Sequence, residues 1–130
     1  MEELKKSNEF QHPPLYIALM KLYKQYYQKH QHLPKLFRIS TGERILEEIT
    51  DSMKIVVIAN FYKKERDKRG YIQTLLMELR GKIELLKAYI LLGWEMKFFS
   101  DGYTGELQER LEEISKQCYA WQAFIEKQYK

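Results

Sequence analysis

The run "IVVIA" at residues 55–59 decides the fold class of this chain. Four of its five residues are β-branched, which favours a strand. Five apolar residues are also the length of a buried strand, and the run alone does not separate strand from helix. Its surroundings do. Ile45, Ile49, Met53, Val56 and Asn60 recur at spacings of three and four straight through it, and no turn signal interrupts them. That period belongs to a helix, so the run is the middle of an amphipathic helix.

Upstream lies "LPKLFRISTGERI" at 33–45. Leu33-Pro34 stops whatever precedes it. Ser40 and Glu43 then match a capping box, in which the serine accepts from a backbone N–H and the glutamate reaches back. The second helix is therefore expected from Ser40 to about Lys63. Gly42, so near the helix start, costs little and permits a close backbone approach. A first helix is expected from the Pro13-Pro14 pair, which suits a first turn, to about Lys29. Leu15, Leu19, Leu22, Tyr23 and Tyr26 share one face of it, with Lys21, Lys24, Gln25 and Gln28 opposite.

Downstream, "KKERDKRG" at 63–70 is a polar turn, and Asp67 is a candidate cap for a third helix running to Leu92. Ile72, Leu75, Leu79, Ile83, Leu86 and Ile90 form its seam, and Gly93 is placed as its C-terminal stop. The segment "SDGYTG" at 100–105 is expected as a loop. A fourth helix follows, with the seam Leu107, Leu111, Ile114, Cys118, Trp121 and Ile125, and Trp121 and Cys118 are expected to be buried. Four amphipathic helices joined by short connections predict an all-α, up-down-up-down four-helix bundle over residues 13–130, preceded by a charged tail at 1–12.

Composition agrees. A chain of 130 residues with 45% apolar and 31% charged residues is long enough for one self-sufficient core. The start, MEELKKSNEF, lacks the apolar core of a signal peptide, and no apolar run approaches a membrane span. A single cysteine, Cys118, excludes an internal disulfide and a multi-cysteine metal site. A cytoplasmic setting without membrane attachment is the expectation.

Catalytic chemistry finds little support. There is no phosphate-binding glycine loop and no nucleophile elbow. The one Glu-x-x-His pair, Glu9 and His12, stands directly before two prolines without a second copy. His30 and His32, two apart, would point in different directions on a helix and are expected as solvated loop residues. Glu106, Glu109, Glu112 and Glu113 lie away from the fourth seam. Neither an enzyme, a metal site nor a cofactor is expected.

Surface features remain. Net charge is +4 but unevenly spread. From His12 to Arg38 there are five basic residues and no acidic ones; from Lys63 to Arg69, five basic and two acidic; from Asp101 to Glu113, five acidic and one arginine. A phosphate backbone would prefer the first two regions. Lys21, Lys24, Lys35, Arg38, Lys63, Lys64, Arg66, Lys68 and Arg69 are thus candidate nucleic-acid contacts, with ordinary solvated turns as the competing reading. Tyr16 and Tyr62 could stack on unpaired bases, but core packing is the first reading for most such tyrosines. A second apolar stripe, Ile55, Ile58 and Tyr62 on the second helix and Leu85, Tyr89 and Leu92 on the third, is a candidate oligomer interface.

"LP" followed by "FRISTGERI" resembles the accessory variability determinant (Avd) family of diversity-generating retroelements. Gly42, Glu43, Arg44 and Ile45 match the end of that family's motif, while Ile39 and Thr41 depart from it. "ANFYKKERDK" at 59–68 and "LMELRGKIELLKAYILLG" at 76–93 are similar to the close of the family's second helix and to its third. The turn at 63–70 and the loop at 94–106 look longer than usual. A related bundle family, encoded within intervening sequences of 23S ribosomal RNA genes, carries Asn-Ile-Ala-Glu-Gly where this chain has IVVIANFY. The resemblance implies a four-helix bundle assembled as a homopentamer. It also implies a basic surface for RNA or DNA and association with a reverse transcriptase in mutagenic retrohoming. It adds Arg44 to the candidate contacts, although an ion pair within the bundle accounts for that residue equally well. A helical protein–protein adaptor without nucleic-acid function is the alternative.

Overall fold

A computed structural model describes residues 13–128, and every regular element among them is helical. Helix α1 spans Pro14–His30. A single turn, α2 (Lys35–Phe37), runs without a break into a π-helical turn, Arg38–Gly42, and on into α3 (Glu43–Phe61). A 3₁₀ turn, Arg66–Lys68, leads into α4 (Arg69–Glu95), and α5 spans Asp101–Gln128. Each of the four long helices packs on its neighbours in sequence, and α5 closes against α1. The chain is an up-down-up-down four-helix bundle, and "IVVIA" is helical throughout.

The core follows one rule in every helix. Buried residues alternate spacings of three and four: Leu15, Leu19, Leu22 and Tyr26 on α1; Ile45, Ile49, Ser52, Val56 and Ala59 on α3; Leu107, Leu111, Ile114 and Cys118 on α5. That is a heptad seam, which keeps one stripe facing the bundle axis when helices cross at about 20°. On α3 the seam is rotated from the expected one. Ser52 and Ala59 are buried, whereas Met53 and Asn60 are half-buried. Ser52 escapes a hydrophobicity pattern because it is polar, and it is tolerated because its hydroxyl donates to Glu48 O at 2.7 Å.

The helix ends differ from expectation for local reasons. The second helical segment begins at Lys35, directly after Pro34, so Ser40 caps nothing. Its hydroxyl donates to the Leu36 and Phe37 carbonyls at 2.6 and 3.3 Å, back-bonding within a continuing helix. Asp67 sits inside the 3₁₀ turn, and α4 has no side-chain cap. Gly93 is helical rather than terminal, because α4 continues to Glu95. The left-handed residue after α4 is Lys97, φ 67°, with Phe98 N–H returning to Gly93 O at 2.9 Å. Helix α5 starts at Asp101, inside the expected loop, because Ser100 Oγ accepts from Tyr103 N–H at 3.1 Å. Cys118 is fully buried with Sγ 3.5 Å from Leu76 O, and burial pushes its thiol up to about 11. Trp121 is only half-buried, near the end of α5 where the bundle wall thins.

Candidate nucleic-acid interface

Up-and-down topology sorts the basic residues onto two ends. The segment from α1 to α3, carrying Lys35 on α2 and Arg38 in the π turn, shares one end with the α4–α5 turn. The α3–α4 turn, carrying Lys63, Lys64, Arg66, Lys68 and Arg69, occupies the other. Helical rise over Lys35–Phe61 separates them by about 40 Å. Lys21 and Lys24 lie exposed on α1 between the two, on the face opposite its seam, and Arg44 is exposed in the first turn of α3.

Among the described residues the ion pairs belong to other cations. Lys82 Nζ is 3.0 Å from Glu48 and 3.7 Å from Asp51, bridging α4 to α3. Lys87 joins Glu84 at 3.3 Å and also meets Glu112 on α5. Burial opposes the Lys82 charge, but the Glu48 hydrogen bond and nearby carboxylates outweigh it and raise its pKa. The Glu112 hydrogen bond does the same for Lys87. Among the described residues Lys21, Lys24, Lys35, Arg44, Lys63, Lys64 and Arg66 take part in no such pair, so no ion pair of Arg44 within the bundle is found there.

Three basic residues are less free than expected. Arg38 is half-buried in the π turn, and its Nε is buried without a hydrogen-bond partner among the described residues. Lys68 is half-buried with its ammonium 5.5 Å from the Tyr62 ring centroid, a cation–π contact. Arg69 is half-buried at the start of α4.

The Arg38 end is built around a cluster that the sequence reading missed. Tyr26, Phe37, Phe98, Phe99 and Tyr103 pack edge-on and tilted, with ring centroids 5.0–6.2 Å apart. Burial raises the Tyr26 and Tyr103 hydroxyls well above the ordinary tyrosine range. Gly93 makes room, since a Cβ there would lie 2.2 Å from Phe99. Gly42 does likewise for His30, 2.8 Å from where its Cβ would be. His30 is therefore no solvated loop residue. It ends α1, with Nδ1 3.2 Å from the Tyr26 hydroxyl. Burial and the Arg38 charge hold its pKa below the usual value, with Glu43 opposing. The doublet Phe98-Phe99, five and six residues after a helical glycine, is the signal that could have revealed this cluster. His32 is exposed, and Glu9 and His12 lie outside the described residues.

The apolar surface also moves. Ile55 is buried at 5% exposure, facing the groove between α3 and α4, and Ile58 and Tyr62 are half-buried and packed on the core. The expected stripe on the second helix is thus largely internal, because a helix touching two neighbours buries a wider face than one seam. Tyr89 is half-buried, whereas Leu85 and Leu92 are exposed. With Met77, Gly81, Ala88 and Leu91 they make α4 apolar on its outer side as well. Tyr16 and Tyr62 both pack against the core.

Among the described residues no cluster of three or more His, Cys, Asp or Glu is placed to hold a metal, and no helix is long and apolar enough to cross a membrane. Comparison with protein-family models, with curated proteins and with solved structures gave no match.

Proposed function

We propose that this protein is a non-enzymatic nucleic-acid-binding accessory of a diversity-generating retroelement, assisting a reverse transcriptase in mutagenic retrohoming as a homopentamer. The observation that carries the binding reading is the division of labour among cations. Lys82 and Lys87 are spent on ion pairs inside the bundle, while Lys21, Lys24, Lys35, Lys63 and Lys64 stand exposed and without an ion-pair partner among the described residues. Exposed ammonium groups along one molecule attract a phosphate backbone without reading bases. Five chains at +4 each would carry about +20, deepening the field. The four-helix bundle agrees with the Avd resemblance, and the resemblance supplies the reverse transcriptase and the pentamer.

Titrating labelled RNA and DNA duplexes at rising salt tests this reading. Binding should weaken steeply with salt, and replacing Lys35, Arg38, Lys63 and Lys64 with glutamine should weaken it on every sequence. Co-purification with the reverse transcriptase tests the partnership. The apolar outer side of α4 favours one second reading, a homo-oligomeric protein–protein adaptor. Failure to bind any nucleic acid at low salt would leave that reading in place.

A further inference from the structure

A cleft of about 650 Å³ opens where α4 ends and α5 begins, lined by Lys29, Trp94, Glu95, Lys97, Phe98 and Asp101 among others. Of these, Lys29 belongs to the acid-free run from His12 to Arg38, and Lys97 lies outside the basic regions considered above. The volume suits one nucleotide or a similarly small ligand. Trp94 is 40% exposed, a large apolar group to leave in water. Its indole Nε1 donates to the Asp101 carboxylate at 2.7 Å, which fixes the ring and leaves its apolar remainder exposed. Lys29 reaches the same cleft from α1, its ammonium 5.7 Å from the Tyr103 ring centroid. Lys97 reaches it from just beyond α4, in a left-handed conformation that glycine would adopt without strain. A lysine held there at a conformational cost points to a use for its side chain.

We infer that this cleft binds one unpaired nucleotide, its base stacked on Trp94 and its phosphate held by Lys29 and Lys97. Glu95 supplies an acceptor at the rim for base N–H groups, while Asp101 is already engaged by the indole. The inference rests on the nucleic-acid reading and sharpens it. The exposed lysines hold duplex backbone, and this cleft selects a single-stranded end or flap beside it. A fixed aromatic face with flanking ammonium groups is the common physical basis of single-strand binding.

The test uses one RNA hairpin in two forms, blunt and with a four-nucleotide single-stranded tail. In a Trp121→Phe background Trp94 is the sole tryptophan of the chain, so its fluorescence reports the cleft alone. The tailed hairpin should quench it and the blunt one should not. The tail should raise affinity, and Trp94→Ala should remove that increment, on the order of tenfold, while leaving blunt binding unchanged. Trp94→Phe should retain most of it. Lys97→Gly should weaken tailed binding while leaving Tm unchanged or raised, which a structural role for the side chain would not produce. Equal affinity for the two hairpins with no quenching overturns the nucleotide site and leaves the phosphate reading standing. Absence of binding to either hairpin overturns both.

Discussion

The two ends of the bundle both carry basic residues but are built differently. At the α1–α2 and α4–α5 end, five aromatic rings, a half-buried histidine and two tightly approached glycines lock the turns together. At the α3–α4 end, Lys63, Lys64, Glu65, Arg66 and Asp67 are all exposed, and only the half-buried Lys68 and Arg69 lean back on the fold. Aromatic contact is present there too, in Phe61, Tyr62 and Tyr71, but Phe61 is 74% exposed. Arg38 at the first end is therefore set by packing, whereas Lys63, Lys64 and Arg66 at the second stand exposed. A closely packed end suits a shaped site such as the Trp94 cleft; an exposed one suits contact with a phosphate backbone.

Stability measurements should separate the ends. Phe99→Ala, which empties the centre of the aromatic cluster, should cost about 3–5 kcal/mol by urea denaturation. Phe61→Ala at the other end should change stability by no more than about 0.5 kcal/mol. Equal costs would erase the distinction. Gly93→Ala forces a methyl group against Phe99 and should cost about 1–3 kcal/mol. By contrast Gly70→Ala, where a Cβ meets nothing within 4 Å, should be neutral or stabilising.

A smaller effect should appear with pH. Burial and Arg38 depress the His30 pKa below the ordinary imidazole value of 6.5. Folding therefore favours the neutral ring, and the unfolded chain binds the proton more readily. His30 contributes fully above about pH 6.5, and that contribution is lost as pH falls through the depressed folded value. Tm should drop between pH 7 and 5, and His30→Gln should flatten that part of the profile. The α3–α4 end contains no histidine among residues 61–71 and should contribute no such step.

Helix number, order and most of the core were legible in the sequence because they rest on periodicity alone. Leu107, Leu111, Ile114 and Cys118 are buried as spaced, and the strand-like "IVVIA" yields to the helical seam running through it. What escaped depends on contacts between distant segments. Ser40 and Glu43 look like a cap, yet the helical segment begins earlier, directly after Pro34, with Ser40 inside the π turn and Glu43 opening α3. Gly93 looks like a stop, yet it is a notch for Phe99 six residues later. Ile55 looks like surplus apolar surface until α4 is laid beside it. At the candidate interface the exposed lysines were readable from composition, whereas the partial burial of Arg38, Lys68 and Arg69 was not. Trp94 and Lys97 drew no notice because nothing local ties them to Lys29.

Interface substitutions should act on assembly while sparing the fold. Leu85→Glu with Leu92→Glu, both on the outer side of α4, should lower the mass measured by light scattering toward the 15.8 kDa chain without changing helicity. A mass already equal to one chain in the wild type would remove self-assembly from the account.

The central claim is that exposed, unpaired lysines bind a phosphate backbone, and the slope of log Kobs against log salt for a duplex tests it most directly. Each phosphate contact contributes about −0.9 to that slope. Lys21, Lys24, Lys35, Lys63 and Lys64 together predict a slope of roughly −3 to −5, becoming shallower by about 1 for each lysine replaced by glutamine. A flat slope, or one unchanged by those replacements, would contradict it.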